Sequence, residues 1–373
     1  MNRLPGQMTP TASTRAALTD PRCRSLWRAA LAVFLPVMAA MAAASAGAAL
    51  KDPLDFPAAK VGALSSRPLL AVARTGERLV AVGSRGVAIL SDDEGKTWEQ
   101  AAVPVQSDLV AVHFPTPTDG WAVGHDGVIL HTADGGRNWQ KQLDGRAALA
   151  SFSRYYHEKG ASQGEAMRAV EKNYGSGPSL PLLDVWFQDS QTGYAVGAFG
   201  ILVATRDGGR TWEPWFERID NPDMLNLNGV RGVGGQLFIA AERGVVFRYD
   251  AASGRFVKSE TGYGGSFFGI VGSDKAVVAY GLRGSVYRSG DAGRTWSTIA
   301  TGSESTISAG ILDDKGSLVL VNVAGEVLVG DAGGDSLKVR PGWSGARASG
   351  VVVLADGKYL ISSPAGLRIQ AAQ

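Results

Sequence analysis

Few side chains of this sequence could carry covalent chemistry, and their spacing does not favour it. The chain has four histidines, His113, His125, His131 and His157, and one cysteine, Cys23. His125 and His131 flank an expected strand without the spacing of zinc ligands, so no metal is expected. No nucleophile elbow, phosphate loop or dinucleotide fingerprint occurs, and no cofactor is expected. Asp126, Asp184 and Glu242 could approach one another in a repeat architecture as paired carboxylates, but no spacing selects them. What does recur is arginine: Arg85, Arg243 and Arg283 each precede the second glycine of a G-x-x-G-like turn, and Phe199 takes that place in another copy. An arginine fork captures carboxylates, a peptide C-terminus among them, through two parallel hydrogen bonds. These four residues are the partner-binding candidates. The competing reading is that exposed turns carry arginine for solubility.

The elements that must position them are repeats. Ser91–Trp98 (SDDEGKTW), Thr132–Trp139 (TADGGRNW), Thr205–Trp212 (TRDGGRTW) and Ser289–Trp296 (SGDAGRTW) all fit [ST]-x-D-x-G-x-x-W. In this Asp box the carboxylate accepts N–H bonds inside its own turn and the glycine supplies positive φ. The tryptophan folds back onto the hairpin. Asp93, Trp98, Asp134, Trp139, Asp207, Trp212, Asp291 and Trp296 are therefore read as structural.

A second signature precedes each box, as in Ala81–Gly86 (AVGSRG), and three further copies survive where the box has decayed. The second glycines are Gly86, Gly127, Gly200, Gly244, Gly284, Gly325 and Gly366, at intervals in the low forties except for one of 73. Such a period, with four short strands A–D per unit, predicts an all-β, seven-bladed propeller. In the first unit the strands are expected at Leu69–Ala73, Arg78–Gly83, Val87–Ser91 and Thr97–Ala102. The last unit has A (Ala348–Leu354), B (Lys358–Ser362) and C (Leu367–Ile369) but no D. Residues Phe56–Leu64 are expected to pair beside Leu367–Ile369 and close the ring. The interval of 73 holds an insertion over residues 144–181, helix-like at Ala147–Lys159 and Gly164–Tyr174. It joins a strand D to the next strand A, which puts it on the face of the B–C turns, where it could wall or lid the central opening.

The N-terminus reads as an address. Arg15, Arg22, Arg24 and Arg28 precede an uncharged run from Ala29 to Leu50 ending in small residues, with A-x-A patterns at Ala44–Ala46 and Ala46–Ala48. Residues 1–48 are read as a secretory signal, an uncleaved anchor being the alternative, and 54–373 as the propeller. Cys23 precedes the apolar run, which argues against a lipoprotein. Cleavage leaves no cysteine, hence no disulfides in an oxidising compartment. The leader also carries five arginines and one aspartate, so its loss turns the formal charge of +2 negative, and nucleic-acid binding gains no support.

The Asp boxes resemble bacterial neuraminidase repeats. Sialidases also need an Arg-Ile-Pro motif, an arginine trio deep in the strands and a Tyr–Glu pair. No Arg-Ile-Pro occurs here, and Arg85, Arg243 and Arg283 fall on turns. The leader, the AVG-x-x-G hairpins, the Asp boxes and seven units together resemble the photosystem II stability/assembly factor family. The matching stretches are Val112–Gly127 (VHFPTPTDGWAVGHDG) and Val185–Gly200 (VWFQDSQTGYAVGAFG). The resemblance runs from about Phe56 to the end, and the insertion and the decayed Asp boxes depart from it. It implies a non-enzymatic, monomeric chaperone in the lumen that binds a reaction-centre membrane protein through an arginine-bearing face, here Arg85, Arg243 and Arg283. In a non-photosynthetic bacterium it implies an exported, periplasmic scaffold for a transporter or other envelope complex. The competing function is a carbohydrate-active enzyme or a glycan-binding lectin on the same fold.

Overall fold

In the computed structural model, residues 52–160, 164–313, 315–340 and 347–371 are described. The expected leader, 1–48, lies outside them. The described residues form seven antiparallel sheets, six of four strands running A to D in chain order and one of three running A to C. The innermost strands, from Leu69–Thr75 of the first blade to Gly350–Val353 of the last, each contact the next, and the last contacts the first. That is a closed seven-bladed ring.

The AVG repeat explains the packing. Ala81, Ala122, Ala195, Ala240 and Ala279 occupy equivalent places on strand B and are fully buried. Strand B is covered on both faces by neighbouring blades, so it reads as a continuous apolar run, and a small residue lets the sheets approach. Outer strands are clipped to the next blade: Ala102 N–H donates to Arg137 O and Trp139 N–H to Ala102 O, both at 2.9 Å. The same clip joins Ala300 to Asp335 and Leu337.

The innermost strands share an irregularity. The A–B register shifts at Leu69/Ala71, Leu109/Ala111, Leu227/Gly229, Phe267/Gly269 and Ile307/Ala309, and at Val196/Gly197 opposite Leu182. A bulge repeated in six blades turns an extra side chain toward the axis. Val110, Leu183, Asn228, Phe268 and Ser308 line the central channel by this means.

Ring closure differs from the expectation. Phe56–Leu64 forms no strand, and the last blade stops at three, with Gly366–Gln370 outermost. Short 3-10 turns at Pro53–Asp55 and Leu64–Ser66, with Ala63 at φ 50°, break the extended run. Its polar groups pair instead with the outer strand of the first blade. Ala58 N–H donates to Val103 O at 2.9 Å, Val61 N–H to Gln100 Oε1 at 2.9 Å, and Gln100 Nε2 to Ala59 O at 2.8 Å. The segment is a strap across blade 1 that reaches blade 7 through Leu64 and Val61, which share a cluster with Leu367. The seam itself is closed by face packing, with Ser349 Oγ donating to Leu69 O at 3.2 Å and Ala355 N–H to Glu94 Oε2 at 3.0 Å.

Helices α1 (Gly145–Lys159) and α2 (Gly164–Tyr174) occur where the composition placed them. Asp144 caps α1 by accepting from Arg146 and Ala147 N–H at 3.0 and 2.9 Å. Ala148, Phe152 and Tyr156, spaced four apart, form its buried stripe and join Val170 and Tyr174 of α2 in one core with Trp121, Phe187 and Trp212. The helices therefore pack at the rim of blades 2 and 3. No residue of either helix lines the central channel, so they do not wall it.

Candidate functional site

The turn residues singled out by sequence adopt one conformation. Arg85, Phe199, Arg243 and Arg283 have φ of 57°, 49°, 55° and 55°, and the glycine after each is also left-handed. A left-handed non-glycine residue costs about 1–2 kcal/mol. The fold holds them there by tethers from the following D–A connection. Arg85 N–H donates to Asp108 Oδ1 at 2.7 Å, Phe199 N–H to Asn226 Oδ1 at 2.8 Å, and Arg283 N–H to Thr306 Oγ1 at 3.4 Å. These tethers also establish that B–C turns and D–A connections share a face. The Asp boxes lie with the A–B turns on the other, where Arg78 of an A–B turn pairs with Asp92 at 2.6 Å.

The ring order separates the arginines. Arg243 and Arg283 lie on adjacent blades 4 and 5, next to Phe199 on blade 3, whereas Arg85 lies on blade 1, three blades away in either direction. The side chains of Arg85 and Arg283 make no ion pair within the described residues; Arg243 meets Asp223 at 3.2 Å, with both side chains more than 60% exposed. An exposed pair of that kind contributes at most about 1 kcal/mol and gives way readily to a partner's carboxylate.

Apolar side chains complete this face. Among the described residues the exposed large hydrophobic ones are Phe199 (49%), Phe268 (36%), Leu282 (36%), Val323 (40%) and Ile369 (41%). The first four belong to B–C turns or the start of a strand A in blades 3 to 6, so they form one crescent with Arg243 and Arg283. Sequence reading missed Leu282, Val323 and Phe268. The first two were legible one place before the arginine position in the aligned turns; Phe268 depends on the bulge, which has no sequence signature. At the Phe199 end of the crescent, α2, Phe199 and the 216–224 segment enclose a groove of about 690 Å³.

The acid–base candidates do not converge. Asp126 accepts from Ser107 Oγ at 2.6 Å on blade 2, and Glu242 accepts from Asn226 N–H at 3.0 Å on blade 4. Asp184 lies in the channel wall, paired with Arg231. Burial pushes the His113 imidazole down to about 3, with Arg231 adding to the effect, and its Nδ1 accepts from Phe187 N–H at 3.1 Å. His131 lies tilted against Trp121, with ring centroids 4.6 Å apart, and meets Asp119 at 3.4 Å. His125 lies on the blade 2 turn and His157 is exposed on α1. No cluster of three or more potential metal ligands occurs among the described residues.

The Asp boxes are closed hydrogen-bond circuits. Asp93 Oδ1 accepts from Thr97 N–H at 2.9 Å and Ser91 Oγ at 2.8 Å, while its Oδ2 accepts from Thr97 Oγ1 at 2.6 Å. These bonds hold its carboxyl down at about 2. Asp134, Asp207 and Asp291 repeat the circuit. Trp98 and Trp139 donate to Gly95 O and Gly136 O at 3.1 and 3.0 Å, and Trp296 donates to Ser259 Oγ at 3.0 Å. Trp212 Nε1 is buried without an acceptor.

Known proteins resemble this chain in both sequence and fold. It is 32% identical to the photosystem II assembly protein Ycf48 of Synechococcus sp. (strain JA-2-3B'a(2-13)), over 39% of this chain and 48% of that protein. It is 23% identical to the photosystem II assembly lipoprotein Ycf48 of Synechococcus sp. (strain CC9902), over 64% of this chain and 78% of that one. The chain thus spans about half the length of the first of these curated relatives. The solved structure of YCF48 bound to D1 peptide superposes with a TM-score of 0.59 at 14% identity, covering 83% of this chain and 94% of that one. YCF48 from Cyanidioschyzon merolae gives 0.58 at 16%, covering 81% and 95%. At these identities the structural likeness establishes the fold. The family model described as photosynthesis system II assembly factor YCF48 matches residues 90–155 and 176–342, more than half of the chain, stopping within α1 and resuming after α2. The chain belongs to that family.

Proposed function

We propose that this chain is a non-enzymatic assembly or stability factor that docks a membrane-protein client on the face of its B–C turns. The observation that carries the reading is the crescent on blades 3 to 6, where Phe199, Phe268, Leu282 and Val323 lie exposed around Arg243 and Arg283. Apolar and aromatic anchors interspersed with arginine are the composition of protein-docking surfaces. The left-handed, tethered turns hold the anchors before a partner arrives, which lowers the entropy lost on binding. The solved relative YCF48 bound to D1 peptide supports a peptide-binding role for a propeller of this family.

Residues 1–48 serve as the export leader in this reading, and the propeller works on the far side of the membrane. Relatives named as a lipoprotein and as a chloroplastic factor support that address. The client is a photosystem reaction-centre protein in a photosynthetic host and an envelope complex elsewhere. Arg85, on the opposite arc, forms a second, weaker contact. The test is co-purification of membrane proteins with tagged chain from solubilised membranes. Arg243→Glu/Arg283→Glu should abolish the recovered client with the melting temperature unchanged, and Arg85→Glu should weaken it. Full recovery with the double variant would remove the crescent from the account.

A further inference from the structure

The central channel holds one ion pair whose two members are unequally exposed. Asp184 of blade 3 reaches across to blade 4, where its Oδ2 accepts from Val230 N–H at 2.9 Å and Arg231 Nη1 at 2.6 Å. The Asp184 side chain is only 11% exposed, that of Arg231 36%. The negative charge is thus retired into the wall, and the positive one faces the lumen. All of the arginine's hydrogen bonds leave from Nη1, to Asp184, Val185 O and Val230 O. Among the described residues nothing accepts from its Nε or Nη2. Those two atoms form the second donor edge of the guanidinium, shaped for a planar oxyanion.

The space in front of that edge is a cavity of about 160 Å³ between the innermost strands. Arg231, Asp184 and Tyr280 are the ionisable groups among its lining residues, and the rest of the wall is mainly Val, Ile, Ala and Gly. Three of the other polar side chains there already have partners. Ser308 Oγ donates to Ala348 O, Ser349 Oγ donates to Leu69 O and Asn228 Nδ2 donates to Phe267 O. Among the lining side chains that edge is the charged donor pair with no acceptor among the described residues, and a carboxylate is its charge-assisted match.

We infer that the channel is a carboxylate-binding site in which Arg231 Nε and Nη2 grip the two oxygens of one small carboxylate. It lies inside the ring, shares Phe268 with the exposed crescent, and is argued from Arg231 independently of the docking reading. The carboxylate belongs either to a free small acid or to the end of a peptide inserted through the mouth at Phe268 and Ser349. Full-length protein labelled with 15N is titrated with sodium acetate against sodium chloride at equal ionic strength. It is then titrated with acetyl-Ala-Ala-Ala bearing a free or an amidated C-terminus. Acetate should move the Arg231 Nε–H resonance, assigned by its absence in Arg231→Lys, where chloride does not. Val112→Phe, which narrows the cavity without touching the ion pair, should weaken the response about tenfold or more. It also covers the case in which Arg231→Lys fails to fold. A response to the free-ended peptide as well assigns the site to chain ends; acetate alone assigns it to free acids. No acetate response in wild type, an equal response in Val112→Phe, or equal binding of the amidated peptide would overturn the inference.

Discussion

Asp184 of blade 3 and Arg231 of blade 4 meet at 2.6 Å, while the same carboxylate oxygen takes Val230 N–H at 2.9 Å. One carboxylate thus joins two blades through side chain and backbone together. Asp184→Ala should cost about 2–3 kcal/mol in chemical denaturation, because it strands a partly buried guanidinium and an inter-blade N–H. Adding Arg231→Met should recover part of that loss. A double-mutant cycle with no coupling would show the pair to be passive.

Trp139 and Trp212 occupy equivalent Asp-box positions with unequal hydrogen bonding: Trp139 Nε1 has an acceptor and Trp212 Nε1 has none. Trp139→Phe should destabilise the protein by about 1 kcal/mol, whereas Trp212→Phe should be neutral or slightly stabilising, since it removes an orphaned donor. Equal melting shifts would contradict the assignment.

Phe199 carries both backbone strain, at φ 49°, and half-exposed apolar surface. Phe199→Asn tolerates that φ better, so stability should hold or rise by up to about 1 kcal/mol while client recovery falls. A loss of stability would mean that the ring supports the turn rather than a partner.

His113, held near 3 by burial, binds a proton more weakly when folded than when unfolded. Its contribution to stability is complete above the unfolded value of about 6.5 and declines as pH falls from there toward 3. His113→Asn keeps an acceptor for Phe187 N–H and should flatten the stability–pH slope in that window relative to wild type. Parallel slopes would exclude His113 as a source of acid sensitivity.

Seven blades were legible because the glycine period and the Asp boxes are local: each turn needs left-handed residues wherever it occurs, whatever its neighbours do. The helices were legible through their local composition. The strap was not. Val61 and Leu64 look like strand residues, but Val61 N–H goes to Gln100 Oε1, Ala58 N–H goes to Val103 O and Leu64 opens a 3-10 turn, so the segment follows the outer edge of blade 1. The arginines were correctly placed on B–C turns, yet linear sequence does not display which blades face one another. Arg85 therefore read as a companion of Arg243 and Arg283 although the ring sets it opposite. Phe268 and the exposed edge of Arg231 reach the axis by the bulges and by a contact between blades, neither of which leaves a pattern in one strand.

Site-specific photo-crosslinking in intact cells tests the docking face most directly. A benzophenone side chain at Leu282 or Val323 of the crescent is compared with one at Lys96 or Thr211 in the Asp boxes of the opposite face. A membrane-protein adduct should form from Leu282 and Val323 and not from the Asp-box positions. Adducts confined to the Asp-box face, or equal from both, would contradict it.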